Sequence, residues 1–308
     1  MKEKYPYLLL VLANGIWGGN FVVGSIATEY FPPFTFSLMR WIIAFVILTP
    51  FMYKSLMRDW NLLWNHKWAI LLLSITGVSG YNTLLYLSLH WTTSINAAVI
   101  NPITPVLIAI LSIIILSERV EGAQMVGILF SIIGVLFILS MGSFENLASF
   151  SFNNGDLLVL LAVFVWALYS IYLRKYANIL PIYSTFYFTT LIGSIILVPF
   201  SIVELSSSTQ HLIWNLGSIS ILFYVGFFAA IVAFLSWNIG VARVGAARAG
   251  NYLNLLPVFA AILAPLLTDE SIQWYQITGG MIVIVGVIIS SKIKKNPVTI
   301  LKGESTTR

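Results

Sequence analysis

The chain has 308 residues, of which 59% are hydrophobic and 9% charged, and its mean hydropathy is +0.92. A water-soluble domain of this size could not cover that much apolar surface, so a soluble globular fold is excluded. Zero cysteines remove disulfides, thiolate metal sites and cysteine nucleophiles, and the net charge of +5 is spread along the chain rather than gathered into one basic face for nucleic acid.

Ten stretches approach the roughly 20 apolar residues needed to cross the hydrocarbon: 5–27, 33–53, 67–89, 93–116, 122–141, 155–174, 180–203, 217–241, 246–267 and 273–291. The predicted fold is an all-α integral membrane protein with ten transmembrane helices. The first span has a basic leader but is too long for a signal-peptide core and ends without a small-residue cleavage site, so it is read as retained. Fifteen of the sixteen basic residues fall in alternate gaps: Lys2 and Lys4; Lys54, Arg58 and Lys67; Arg119; Arg174 and Lys175; Arg243 and Arg248; then Lys292, Lys294, Lys295, Lys302 and Arg308. The intervening gaps, with Glu29 and Glu145, hold none. Positive residues near span ends resist translocation, which predicts cytoplasmic N and C termini.

An internal repeat divides the spans. A shift of 152 residues brings Ala97 onto Ala249, Pro105 onto Pro257, Glu118 onto Glu270, Gln124 onto Gln276, Gly127 onto Gly279 and Gly134 onto Gly286; a shift of 149 brings Trp17 onto Trp166 and Pro32 onto Pro181. Five spans per copy is an odd number, so the second copy is expected to be inverted in the membrane, the arrangement on which alternating access is commonly built. The expected organisation is a first five-helix repeat over 1–141, an extracytoplasmic linker over 142–154, a second repeat over 155–291 and a basic cytoplasmic tail over 292–308.

The first span carries Asn14-Gly15-Ile16-Trp17-Gly18-Gly19-Asn20-Phe21, which resembles the "WGsnF" signature of the drug/metabolite transporter superfamily in its EamA-type ten-helix branch. Arg40, Pro105 and the series Glu118, Gln124, Gly127, Gly134, repeated as Glu270, Gln276, Gly279, Gly286, are similar to that family's pattern. The resemblance runs to about residue 291 and implies export or exchange of small metabolites, often amino acids. One departure is Trp166-Ala167-Leu168-Tyr169, which keeps the Trp of the first-span signature without its Gly pair and Asn.

Interrupted spans at matching places in two halves point to a transporter's binding site. Here Pro102 and Pro105 in span four and Pro257 in span nine remove N–H donors and free the carbonyls of Ala98, Asn101 and Leu253. Asn96, Asn101, Asn251 and Asn254 lie within about a turn of these breaks and could answer the carbonyls, a neighbouring helix or a ligand. Spans three and eight add Tyr81, Asn82 and Tyr86, and Trp237 and Asn238; Tyr86 and Asn238 are equivalent and would suit a pair of gates, or interfacial anchoring for the Tyr. Trp17, Trp166, Tyr169 and Tyr172, with Asn14 and Asn20 from the signature, could line the same cavity or pack as core. Arg40 is the one basic residue inside a span, a functional candidate by default, with a structural role as the alternative. Glu118 and Glu270 are expected to cap spans five and ten, and the Gly pairs seven apart to bring backbones close.

All eleven acidic residues sit at span ends or outside spans, as do the three histidines. The expected mechanism is therefore uniport or exchange, without a carboxylate proton relay. The expected partners are membrane lipid and a small-molecule substrate such as a neutral amino acid, with no cofactor and no nucleic acid. The alternatives are an intramembrane lipid-modifying enzyme, for which Asp59 with His66 is the nearest cluster, and a non-transporting receptor.

Overall fold

The computed structural model describes residues 4–27, 29–88, 91, 100–118, 120–148, 153–207, 212–267 and 272–291. These residues are helical apart from short connections. The elements are α1 (Tyr5–Ala27), α2 (Pro33–Asn65), α3 (Lys67–Leu73, continuing as a π-helix over Ser74–Gly80 and an α-helix over Tyr81–Ser88) and α4 (Ile103–Leu116). There follow α5 (Gly122–Leu139), a short helix Phe144–Ala148, α6 (Asn154–Tyr176) and α7 (Ile182–Ser207). Last come α8 (Leu216–Phe223, π-helical Tyr224–Val232, then Ala233–Val244), α9 (Ala246–Asn251, a 3₁₀ turn Tyr252–Asn254, then Leu255–Leu267) and α10 (Trp274–Ser291). Among the described residues eight helices are long and apolar enough to cross a membrane, and Ile103–Leu116 is a shorter apolar helix. Apolar side chains such as Ile114, Val46, Ile195 and Leu216 are exposed, which hydrocarbon tolerates and water does not.

Local chemistry sets the boundaries. Asn153 and Asp156 form a reciprocal capping box at the start of α6, and Asn215 with Ser218 does the same for α8. Ser117 and Met141 take left-handed conformations at the ends of α4 and α5, and the following N–H groups, of Glu118 and Gly142, bond back to Ser112 and Phe137. Helix α2 runs to Asn65 rather than to the predicted 53. Its 33 residues span about 50 Å, so it continues well past a hydrocarbon layer of roughly 30 Å. The sequence boundary followed apolarity, while the backbone carries on through the polar residues Lys54, Arg58 and Asp59.

Two helix pairs form antiparallel seams. In α5–α10, Gly127 lies against the backbone of Gly286 and Ser290, and Gly134 against Gly279 and Val283. A Cβ on Gly127 would stand 2.5 Å from the Gly286 oxygen, and one on Gly134 would stand 2.7 Å from the Gly279 oxygen. The glycines are therefore required by backbone contact. Between them Ser131 Oγ reaches the Val283 carbonyl at 3.4 Å; these two residues are themselves 152 apart. In α2–α7, the Glu204 carboxylate accepts from the N–H groups of Phe34 and Thr35 at 3.0 and 2.7 Å and so caps α2. At the opposite end Asp59 accepts from the Ser184 hydroxyl in the first turn of α7. Phe45 stacks on Tyr187 midway, with centroids 5.0 Å apart.

The structural irregularities follow the sequence repeat. The π-helical stretches Ser74–Gly80 and Tyr224–Val232 coincide under the 152-residue shift, and the turn at Asn101 and Pro102 coincides with the 3₁₀ turn of α9.

Candidate functional site

Helices α1, α2, α3, α6, α7 and α8 converge on a cluster of aromatic rings. Phe234 sits at its centre, with ring centroids 5.4 Å from Trp17, 5.6 Å from Trp166, 4.9 Å from Trp41, 6.1 Å from Tyr169 and 6.1 Å from Phe186. Trp17 meets Trp166 edge to face at 5.5 Å, both lie within 6 Å of Trp237, and Tyr81 packs on Trp166 at 5.3 Å. Edge-to-face and tilted contacts dominate, as the ring quadrupoles favour.

The π-helical stretches serve this cluster directly. Trp17 Nε1 donates to the carbonyl of Ala229, inside the π-helix of α8, at 3.1 Å. Gly77, inside the π-helix of α3, lies beneath the Tyr169 ring, where a Cβ would come within 2.3 Å of a ring carbon. The Tyr169 hydroxyl then donates to Asn238 Oδ1 at 2.8 Å, with both residues buried. π-Turns are rare and recur where a helix must re-aim side chains.

The first-span motif has a matching geometry. Gly18 abuts Phe259 and the Ala260 backbone of α9, and Gly19 abuts the Tyr224 hydroxyl, which donates to the Ile16 carbonyl at 2.9 Å. Asn14 is fully buried and donates to Leu10 O, while its Oδ1 and that of Asn20 are buried without partners among the described residues. In the second half, where Ala167 replaces a glycine, the methyl is fully buried. The indole N–H groups of Trp41 and Trp237 are buried without acceptors among the described residues. The Arg40 guanidinium is buried too, 4.9 Å from the Trp41 ring centroid.

The sequence candidates fall into two groups. Trp17, Tyr81, Trp166, Tyr169, Trp237 and Asn238 come together in the cluster, and Asn82, also buried, neighbours Tyr81 on α3. Around the breaks, the Asn101 carbonyl accepts from Thr104 N–H at 2.9 Å and from its hydroxyl at 2.6 Å. The Asn101 carbonyl is thus answered by the chain beside it, and Ala98 lies outside the described residues. Asn251 donates to Ser290 Oγ at 2.6 Å and Gly286 O at 3.4 Å, and Asn254 donates to Asn251, so this pair ties α9 to α10. Asn96 and the side chain of Tyr86 lie outside the described residues. The expected cap at Glu118 is corrected: Glu121 occupies the N-cap position of α5 without a side-chain cap bond, and Glu118 pairs with Arg174 at 2.9 Å. Its counterpart Glu270 lies outside the described residues.

Sequence reasoning missed Phe234, Trp41 and both π-helical stretches. Phe234 coincides with Asn82 under the repeat shift, so the comparison of halves passed over it. Trp41 was hidden beside the more conspicuous Arg40.

The model of the EamA-like transporter family matches residues 4–140 and again 153–292. The chain is 29% identical over 305 residues to the uncharacterized transporter YyaM of Bacillus subtilis (strain 168), covering 96% of this chain and 97% of that one. It is 28% identical over 296 residues to the uncharacterized transporter YetK of the same organism, covering 96% and 89%. An uncharacterized transporter of Archaeoglobus fulgidus is 25% identical over 293 residues, covering 94% and 98%. One solved crystal structure of a protein at 19% identity superposes with a TM-score of 0.77 over 93% of this chain and 96% of that chain, a likeness of fold.

Proposed function

The chain belongs to the EamA-like transporter family of multi-pass membrane proteins, and on that premise we propose that it carries a small amphipathic molecule across the cell membrane by alternating access between two inverted five-helix units. The units are α1–α5 and α6–α10, matching the expected 1–141 and 155–291 to within a residue at the start of α6, with both termini cytoplasmic. The antiparallel seams α5–α10 and α2–α7 support the inversion, as do the matched π and 3₁₀ stretches.

The observation that carries the reading is the aromatic cluster around Phe234, set where the two units meet and where two helices depart from α geometry. Substrate would part these rings and stack among Trp17, Trp166 and Trp237. The indole N–H groups of Trp41 and Trp237, without acceptors among the described residues, suit a carboxylate or carbonyl on that substrate. An apolar body with an acceptor end matches a neutral amino acid, an aromatic one included. In this reading Tyr81, Asn82, Tyr169 and Asn238 line the path, with Asn14 and Asn20 behind Trp17. Arg40 adds positive potential beside Trp41, and Asn251 and Asn254 support α9. Tyr86, Asn96 and Asn101 are kept as candidate contacts by their places in the sequence. With no carboxylate near the middle of a span, the driving force is the substrate gradient, giving export or exchange.

Proteoliposomes preloaded with unlabelled neutral amino acids and exposed to the tritiated forms provide the test. Counterflow above protein-free vesicles is expected, and Trp237→Phe, which keeps a ring and removes the donor, is expected to weaken it about tenfold. Absence of counterflow for every neutral amino acid would exclude this substrate class, and concentrative uptake driven by a pH gradient alone would exclude exchange.

A further inference from the structure

The connection between α4 and α5 meets the ends of α6, α8 and α9. The left-handed Ser117 turns the chain so that the Glu118 carboxylate lies beside Gly245, the φ +92° residue between α8 and α9. Arg174, in the last turn of α6, donates Nε to Glu118 at 2.9 Å and Nη1 to the Ala242 carbonyl at the end of α8. Arg248, in the first stretch of α9, reaches Glu121 at 3.5 Å. In the same region the buried side chains of Ala109, Ile128 and Ala247 form an apolar plug. Both ion pairs therefore join the first half of the chain to the second, on the face that the basic residues assign to the cytoplasm.

The opposite face lacks the charges to repeat this. The shifts that align the halves put Ser25 in the place of Arg174, Asn96 in the place of Arg248 and Gln273 in the place of Glu121; among the four, only Glu118 has an ionisable counterpart, Glu270. Among the described residues an otherwise matched pair of units thus carries this ionic closure on one side alone. We infer that Glu118–Arg174 and Glu121–Arg248 form a one-sided latch that holds the cytoplasmic exit shut, so that the empty protein favours the state open to the far side. This rests on the two-unit topology proposed above. Each pair is partly exposed, at 28–29% for its side chains, and is individually weak; two pairs acting with the apolar plug bias a two-state equilibrium by their sum.

The natural absence of cysteine supplies the experiment. Ala247→Cys, in the full-length protein, places a thiol in the plug, and a membrane-impermeant maleimide applied to inside-out vesicles reads its accessibility without any substrate. Glu118→Gln and Arg248→Gln are each expected to speed labelling about two- to fivefold, the two together about tenfold, and the reversal Glu118→Arg with Arg174→Glu to restore the slow rate. Unchanged labelling in the double variant, or a reversal that stays fast, would overturn the latch. A second reporter, Ser131→Cys in the α5–α10 seam, must remain slow; if it accelerates as well, the effect is loss of fold and the latch is overturned. Faster labelling only in right-side-out vesicles would overturn the topology beneath it. Normal latch behaviour in a protein that moves no amino acid would instead remove the substrate reading alone.

Discussion

Helix pairs α5–α10 and α3–α8 come from the same duplicated pattern, yet they solve opposite problems. In α5–α10 both helices are α-helical throughout, and glycine puts backbone on backbone at Gly127–Gly286 and Gly134–Gly279. In α3 and α8 the helices widen into π turns, and the space beside them takes the largest side chains of the protein, with Tyr169 over Gly77 and Trp17 bonded to Ala229. Close regular packing leaves a seam with one arrangement, because interiors at crystal-like density do not deform gradually. A widened turn with a side chain answering its carbonyl has an alternative hydrogen-bond pattern within reach. The first pair is a fixed support and the second is where a change of shape is cheapest.

Substitutions test that division most sharply at the seam. Gly127→Leu is expected to abolish the folded protein, read as loss of the monodisperse peak in detergent, and Gly134→Ala to cost about 1–3 kcal/mol, read as a lower melting temperature. Gly77→Ala, which drives a methyl into the Tyr169 ring, is expected to remove most flux while lowering the melting temperature less than Gly134→Ala, because a ring can swing where a backbone cannot. Trp17→Phe leaves the Ala229 carbonyl without its indole partner, at a cost of about 1–3 kcal/mol, and is expected to depress flux more than stability. Ser131→Ala removes a long hydrogen bond at the seam's midpoint and is expected to shift stability by about 0.6 kcal/mol or less, with flux unchanged. If the seam variants instead spared the fold and abolished flux, the assignment of support and moving part would be reversed.

Much of this contrast could be read from the residues. Gly127, Gly134, Gly279 and Gly286 announce close backbones because spacing by seven keeps them on one face, and Pro102 and Pro257 announce interrupted helices because proline lacks a donor. The aromatic cluster was half legible: Trp17 and Trp166 stood out as repeat partners, whereas Phe234 has an Asn opposite it in the repeat and looks like any apolar residue of a span. The π-helical stretches left no trace, since Ser74–Gly80 and Tyr224–Val232 have unlike compositions and the extra residue in a turn is set by neighbours packing against it. Glu118 was misread for a related reason. Its place before α5 fits a cap, and only the three-dimensional approach of Arg174 turns it toward another helix. Asn251 and Asn254 had the right types for a ligand, but the nearness of Ser290 is a fact of helix packing that spacing does not carry.

The wide turns also give α8 a degree of freedom that a straight rod lacks. A π turn holds one residue more than an α turn, so displacing it along Leu216–Val244 swivels every side chain it passes by about 100° while the helix stays fully bonded in lipid. Deleting one residue from Tyr224–Val232 would make the same swivel permanent, carrying the Trp237 indole and the Asn238 amide off the face they now share with Tyr169.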